Sequence, residues 1–236
     1  MSRPAACQTR ASESLAVSRD TARARNGSRQ CAVAYRVNTV AALYVQTDGS
    51  YYGLTGVEPW DQVRDARQYA GPYPVVAHPP CSRWCQLAYI NQARYGHRVG
   101  DDGGCFAAAL DAVRRWGGVL EHPAFSYAWP AFGLPEPPAA GWQLTVENAW
   151  VCQVSQGAYG HRARKLTWLY YIGDRAPPVL SWDTPAPTAQ VSWCRNHGNS
   201  TLPRMSKKTA ARTPPAFRDL LIQLARGAHT SIPSQT

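Results

Sequence analysis

The sequence predicts an α/β fold in which a mixed sheet is flanked by helices, a reduced form of the Rossmann-like architecture. Short apolar runs that suit buried strands alternate with segments in which apolar residues recur about once per helical turn. Glycine and proline stand where these predicted elements end. Such alternation is typical of strand, helix, strand units whose strands run parallel.

The first elements follow one another closely. Residues 39–45 are predicted to form a buried strand, closed by the turn-rich segment 47–50. A helix is expected over 60–69, where apolar residues recur at about one turn before Gly71 and Pro72. The run Val75–Ala77 then predicts a second strand, which leads directly into His78-Pro79-Pro80-Cys81.

A polar and glycine-rich segment, 95–104, follows Cys81 and is expected to be mobile, as a lid would be. Phe106, Leu110 and Val113 mark one face of a predicted helix that ends at Gly117 and Gly118. Val119 and Leu120 begin the next strand, whose end is Glu121-His122-Pro123.

The second half of the chain is predicted to contain two more strands, 142–146 and 166–172, the latter preceded by the basic segment His161–Lys165. Residues 174 to about 205 show no clear period. A final amphipathic helix is expected to have Thr213 as its N-cap and Pro214 at its first position, and to end at Gly227.

Composition limits the classes of protein that fit. The chain has 236 residues, of which 44% are hydrophobic, enough for one sizeable domain. No run approaches the roughly 20 apolar residues that span a bilayer, so no membrane partner is expected. Seven cysteines without a repeated CxxC pattern or a secretory signal favour reduced thiols and a cytoplasmic location.

The charge points to a polyanionic partner. Lys and Arg number 25 against 15 acidic residues, a net charge of +10 that suits nucleic acid. A zinc site is an alternative use of two His and Cys clusters, although their spacing does not match a paired CxxC framework. These clusters contain the following residues: His78, Cys81 and Cys85, then Cys194 and His197.

Cys81 is a candidate nucleophile. Two prolines restrict the backbone that enters it, so the thiol is held on a rigid turn at a strand end. A thiolate adds readily to the electron-poor carbon 6 of a pyrimidine. If the two strands are parallel, Glu121 emerges at the same sheet edge, where an acid could hydrogen-bond ring nitrogen 3 of cytosine.

Four short blocks, in order, resemble the cytosine-5 DNA methyltransferases. Pro79-Pro80-Cys81-Ser82 is similar to their catalytic Pro-Cys motif, and Glu121-His122-Pro123 to their Glu-Asn-Val segment. Arg162-Ala163-Arg164 resembles their Gln-x-Arg-x-Arg block, and Arg212-Thr213-Pro214 their late Arg-x-x-Thr-Pro block. The resemblance implies a reduced Rossmann-like methyltransferase domain in which Cys81, Pro80, Glu121, Arg162 and Arg164 form the catalytic site.

The resemblance also implies S-adenosylmethionine as the methyl donor. The family's glycine-rich loop after the first strand is not recognisable here. Glu58 and Trp60 are the expected contacts of the donor's ribose and adenine, because ribose hydroxyls favour a carboxylate and adenine an aromatic face. Asp48 and Gly49, in the turn after the first strand, complete the predicted cofactor site.

The function expected from these residues is methyl transfer from S-adenosylmethionine to carbon 5 of cytosine in DNA, through a covalent Cys81 adduct at carbon 6. One alternative keeps the cysteine chemistry on a pyrimidine base or nucleotide but uses a different donor. Another is a degenerate methyltransferase fold that only binds nucleic acid. The expected organisation is as follows: a disordered basic arm at 1–35, a catalytic α/β domain at 36–173, a short irregular recognition-like insert at 174–211, and a C-terminal helix at 212–236 that packs on the catalytic domain and frays at its end.

Overall fold

The computed structural model describes residues 39–191 and 201–228. The predicted basic arm and the last residues of the chain therefore lie outside the described residues. The fold within these ranges is α/β, as predicted, with a mixed sheet between helices.

Seven strands form the main sheet, in the order β2-β1-β3-β4-β7-β6-β5. β1 to β4 pair in parallel, whereas β7 runs antiparallel to both of its neighbours, β4 and β6, and β5 runs antiparallel to β6. The strand bounds are β1 Val40–Leu43, β2 Val57–Trp60, β3 Val75–Ala77, β4 Gly118–Pro123, β5 Trp142–Leu144, β6 Trp150–Ser155 and β7 Leu166–Ile172.

Helices cover the two faces of this sheet. Residues of β1 alternate between the faces, so that Ala41 and Leu43 belong to one core and Val40 and Ala42 to the other. The first core includes helix α2 and the second includes helix α5. The helix bounds are α1 Ala88–Tyr95, α2 Cys105–Trp116, α3 Ala128–Ala131, α4 Lys207–Ala211 and α5 Pro215–Arg226.

The predicted helix over 60–69 is wrong. Trp60 is the last residue of β2, and only a 3-10 helix, Ala66–Gln68, forms in this stretch. The Asp61 carboxylate accepts hydrogen bonds from the amides of Val63 and Arg64, which closes a turn in place of a helix. Val63 is 84% exposed, so the apolar period here did not mark a core face.

Several elements were not predicted, α1 and β6 among them, and one helix start was placed too early. Helix α1 lies between Cys81 and the glycine-rich segment, and β6 pairs with both β5 and β7. Pro214 is the N-cap of α5, in place of Thr213, because its extended ψ of 144° ends the preceding chain before the helix begins at Pro215.

The predicted insert, 174–211, contains little regular structure among its described residues. Two short strands, β8 (Gln190–Val191) and β9 (Arg204–Met205), pair in parallel and precede α4. Ala189 and Met205 form a small buried cluster with Ala163, so this part of the chain packs on the loop that leads into β7.

β3 and β4 approach each other closely at Gly118. This glycine has φ of +112°, a backbone conformation that L side chains rarely adopt. A Cβ at this position would overlap the Val75 carbonyl oxygen and lie 2.6 Å from the Val75 nitrogen. The parallel pairing that aligns the ends of β3 and β4 therefore requires glycine here.

Candidate active site

Cys81 and Glu121 emerge at one edge of the sheet. β3 and β4 are neighbours and parallel, with Ala77 paired to Leu120, so His78 and Glu121 are the next residues along each strand. Cys81 follows on a tight turn in which its carbonyl accepts hydrogen bonds from the amides of Trp84 and Cys85. The predicted parallel pairing of β3 and β4 is confirmed, and Glu121 lies within β4, paired with Leu169, two residues before the strand ends at Pro123.

Glu121 is held by a chain of hydrogen bonds. His78 Nδ1 donates to Glu121 Oε2 over 2.9 Å, and His78 Nε2 shares a 2.7 Å hydrogen bond with the hydroxyl of the buried Tyr51. On the other side, Gln156 Nε2 donates to Glu121 Oε1 at 3.1 Å and to Thr167 Oγ1 at 3.0 Å. Both carboxylate oxygens therefore accept one hydrogen bond and keep lone pairs for another ligand.

This environment keeps Glu121 ionised. Burial alone would raise the pKa of this carboxyl group, but the hydrogen bond and charge of His78, together with the charges of Lys165 and His122, lower the pKa to about 2. At neutral pH the resting carboxylate accepts hydrogen bonds and does not donate.

The thiol of Cys81 is neutral at rest. Burial, reinforced by Cys85 and by the Glu121 carboxylate, raises its pKa to about 11, while Lys165 acts in the opposite direction. Cys81 is a free cysteine, as are Cys85, Cys105 and Cys152, the others that the structure describes. Addition to a base therefore requires that the thiol first lose its proton.

Lys165, and neither of the predicted arginines, is the cation whose charge acts on both Cys81 and Glu121. Arg162 and Arg164 are exposed in the loop before β7. Lys165 follows them in sequence and has φ of +29°. Pro80, predicted beside the thiol, is exposed on the same turn.

The predicted cofactor residues are engaged with one another. Glu58 forms a 2.7 Å ion pair with Arg64 and accepts a 3.1 Å hydrogen bond from Trp60 Nε1. The Arg64 guanidinium lies over the Trp60 ring, 3.9 Å from its centre. Asp48 and Gly49 belong to a tight turn that the Gly49 amide closes on the Gln46 carbonyl. In this arrangement Arg64 occupies both the Glu58 carboxylate and the Trp60 ring, so contact of these two residues with S-adenosylmethionine requires that Arg64 move away.

The zinc alternative gains no support. Both ring nitrogens of His78 are used in the hydrogen bonds to Tyr51 and Glu121. Within 39–191 and 201–228, no group of three or more His, Cys, Asp and Glu side chains is arranged to hold a metal ion. Cys194 and His197 lie outside the described residues.

The glycine-rich segment expected to be a lid is anchored at its end. Asp102 accepts hydrogen bonds from Trp84 Nε1 at 2.8 Å, from the Phe106 amide at 2.8 Å and from the Gly104 amide at 2.9 Å. These bonds tie the start of α2 to the turn that follows Cys81. Motion of residues 95–101 stays a prediction.

His122, beside Glu121 but on the other face of β4, is fully buried against Phe106 and Trp129. Neither ring nitrogen has a hydrogen-bond partner of good geometry among the described residues, and the Pro80 carbonyl is the backbone acceptor that comes near the ring. Burial lowers the pKa of His122 to about 4, against the opposing effects of Glu121, Asp102 and the Pro80 carbonyl.

We expect His122 to make the protein sensitive to mild acid. The pKa of His122 is lower in the folded protein than in the unfolded chain, so protonation of this side chain favours unfolding. The folded state therefore keeps its full stability above about pH 6.5 and loses stability as the pH falls toward 4. The loss between about pH 7 and pH 5 should be about 2 kcal/mol. His122→Phe, which keeps an aromatic ring, should flatten this dependence in urea unfolding curves, and an equally steep loss in the variant would contradict the assignment.

Several residues of the site were missed by the sequence reasoning. Tyr51 lies in a turn, Gln156 begins the 3-10 helix after β6 and Thr167 lies within β7, and none of them belongs to a motif. The sequence pattern marks His78 only as a candidate metal ligand. Lys165 was noted only as part of a basic segment. The available signal was the equal spacing of His78 and Glu121 from the ends of two predicted parallel strands.

Comparison with protein-family models, curated proteins and solved structures finds no match to the chain. Among the helices in the described ranges, none is both long and apolar enough to cross a bilayer.

Proposed function

We propose that the protein modifies carbon 5 of cytosine in DNA through a covalent adduct between Cys81 and carbon 6. The observation that supports this most is the placement of a thiol on the turn after β3 and of a buried carboxylate on the parallel neighbouring strand β4, with burial, then Cys85 and then Glu121 raising the pKa of the thiol. A nucleophile and a base-edge ligand at one crevice are what such chemistry needs.

The proposed chemistry has two stages. The thiolate sulfur forms a bond to carbon 6, and the electrons of the ring double bond move toward carbon 5 and ring nitrogen 3. Glu121 stabilises that charge by a hydrogen bond at nitrogen 3 once it carries a proton. Carbon 5 then bonds to an electrophile, loses its original proton, and the sulfur leaves as a thiolate.

DNA is the proposed partner because of charge. The net charge of +10 suits the phosphates of DNA. Arg162 and Arg164 are exposed in the loop that also contains Lys165. A target base within a duplex must first be extruded, at a cost of a few kcal/mol, and a cationic surface offsets part of that cost.

The test does not depend on the donor. Adduct formation activates carbon 5, so in deuterated water the enzyme should replace its hydrogen with deuterium without any donor present. We expect mass spectrometry of digested oligonucleotides to find deuterium in deoxycytidine and in no other nucleoside. DNA binding without exchange would reject the proposal in favour of the nucleic-acid-binding alternative.

S-adenosylmethionine stays the proposed donor, and a reduced methyltransferase domain the proposed fold, on the basis of the resemblance. For Glu58 and Trp60 to contact the donor, Arg64 must leave them. We therefore expect Arg64→Ala to bind S-adenosylhomocysteine at least several-fold more tightly than the wild type, and Glu58→Ala to lose micromolar binding in calorimetric titrations. Absence of heat in all three proteins at millimolar ligand would exclude this donor.

A different donor is the second candidate, and the Arg64 contacts favour it. An ion pair to Glu58 together with stacking on Trp60 gives both residues a structural role in the turn after β2. The deuterium exchange would then persist while S-adenosylhomocysteine fails to bind.

A further inference from the structure

Phe125, in the loop after β4, is an exposed aromatic residue in a strained backbone conformation. Its φ of +62° is left-handed, a region that bulky side chains rarely adopt. The residue is also 46% exposed, so burial in the core does not account for a phenylalanine at this position. Outliers of this kind persist where the surrounding structure fixes them, and they cluster at functional sites.

Hydrogen bonds on both sides hold Phe125 in this conformation. The Ala124 amide donates to the Leu166 carbonyl over 3.0 Å, and the Tyr127 amide donates to the Trp84 carbonyl over 2.8 Å. Because both neighbours are fixed, the backbone cannot relax to an ordinary φ without breaking one of these bonds.

The two anchors of Phe125 belong to the candidate active site. Trp84 lies on the tight turn that starts at Cys81, and its amide donates a 3.0 Å hydrogen bond to the Cys81 carbonyl. Leu166 directly follows Lys165, the cation whose charge acts on the Cys81 thiol. Phe125 therefore lies between the turn that contains the thiol and the loop that contains the cation.

The ring of Phe125 is positioned in advance of any partner. It lies against the buried Trp168 of β7, with 5.2 Å between the ring centres at an edge-to-face angle of 60°. The pairing of Pro123 with Thr167 in the β4–β7 ladder continues outward, so that Lys165 is the residue opposite Phe125. An exposed ring and a cation are thus neighbours at the end of this ladder.

We propose that Phe125 stacks on an unpaired base of DNA while Lys165 binds an adjacent phosphate. The inference rests on the proposed function for its partner, and it adds the place where a base is held beside the Cys81 turn. Every base has a π-face, and stacking on an aromatic side chain tightens binding by about 5-fold to 150-fold per base.

Charge favours DNA over a protein partner or a second copy of the chain. Arg162 and Arg164 are exposed in the same loop as Lys165. A net charge of +10 opposes association of two copies and attracts a polyanion. An aromatic ring beside a group of cations is the combination that binds unpaired bases together with their phosphates.

The affinity of Phe125→Ala for two single-stranded oligonucleotides tests the stacking. One is oligodeoxycytidine, and the other has the same length and phosphates but abasic sugars throughout. In fluorescence anisotropy titrations, we expect the substitution to weaken binding to oligodeoxycytidine at least about tenfold and binding to the abasic strand less than about twofold. A general loss of folding would weaken both by the same factor.

Other substitutions at Phe125 separate the aromatic face from apolar area. Phe125→Tyr keeps a ring and should bind oligodeoxycytidine within about twofold of the wild type, whereas Phe125→Leu keeps only apolar area and should lose as much affinity as the alanine variant. Phe125→Asn serves if these variants do not fold, because asparagine tolerates a left-handed φ. Leu144→Ala is the matched control: Leu144 is 52% exposed on the edge strand β5, and its loss should change neither affinity by more than about twofold.

The phosphate contact of Lys165 has a separate signature in the salt dependence of binding. Lys165→Gln removes one cation, so the slope of the logarithm of affinity against the logarithm of salt concentration should become shallower by about 0.7 for a single strand. Phe125→Ala should leave this slope unchanged, because stacking releases no counterions. An unchanged slope in Lys165→Gln would overturn the phosphate contact.

Full affinity of Phe125→Ala for oligodeoxycytidine, or equal weakening on both strands in every Phe125 variant, would overturn the stacking. Self-association that Phe125→Ala abolishes in sedimentation, with unchanged affinity for DNA, would assign the ring to an interface between two copies and would overturn it as well. Deuterium exchange distinguishes this failure from that of the proposed function. Exchange without any effect of Phe125 on binding would reject the stacking alone, and binding that depends on Phe125 without exchange would reject the proposed function alone.

Discussion

Cys81→Ser should abolish deuterium exchange at carbon 5 of cytosine, with a fall of at least about a thousandfold, because a serine hydroxyl is a far poorer nucleophile toward carbon 6. The substitution exchanges sulfur for oxygen on a turn whose backbone hydrogen bonds it leaves intact. The thermal unfolding temperature and the affinity for DNA should therefore change little. The rate of exchange is followed by mass spectrometry of the released nucleosides.

Cys105→Ser is the matched control for this experiment. Cys105 is the first residue of α2 and, like Cys81, is a free thiol whose pKa burial raises. Its replacement should leave exchange within about twofold of the wild type, since the charges that act on the Cys105 thiol are those of Asp102, Arg67 and Asp65 and not that of Glu121. Full exchange in Cys81→Ser would exclude covalent catalysis.

The largest effect on stability is expected for Gly118→Ala. The added methyl group would overlap the Val75 backbone at the pairing of β3 with β4, and φ of +112° would strain any L side chain. We expect a loss of at least about 3 kcal/mol in the free energy of unfolding. Urea unfolding measures it.

Gly160→Ala separates the cost of backbone strain from the cost of steric overlap. Gly160 also has a positive φ, +93°, but nothing lies within 4 Å of the position its Cβ would take. Its replacement should cost only about 1 kcal/mol, the strain of the backbone alone. Equal losses of unfolding free energy in the two variants would mean that steric overlap with β3 adds nothing to the cost of a side chain at residue 118.

The elements that the sequence predicted well are those whose pattern comes from burial. β1 and β3 are short apolar runs, β4 begins with one, and α2 and α5 each bury one regular face. The helix over 60–69 failed because a single side chain, Asp61, draws two amides into a turn. The spacing of apolar residues does not reveal that such side-chain hydrogen bonds replace those of a helix.

The site was predicted in part for a similar reason. Cys81 and Glu121 follow predicted parallel strands, and topology alone brings such ends together. The contact of His78 with Glu121 depends on strand register, which the short runs do not determine. That Lys165 rather than Arg164 acts on the pair depends on the local backbone of one loop, which residue types do not reveal.

The hydrogen-bond chain through Glu121 runs from Tyr51 to Thr167, across more than half of the described sequence. Each link joins residues that are distant along the chain, and the last ones arrive only with the 3-10 helix after β6 and with β7. A chain that ended before β7 would lack Thr167 and the strand that pairs with Glu121, and a chain that ended before β6 would lack Gln156 as well. The protein therefore cannot be divided between β4 and β7 into a fragment that retains the whole hydrogen-bond chain, and the proposed activity should appear only once both halves of the sheet have joined.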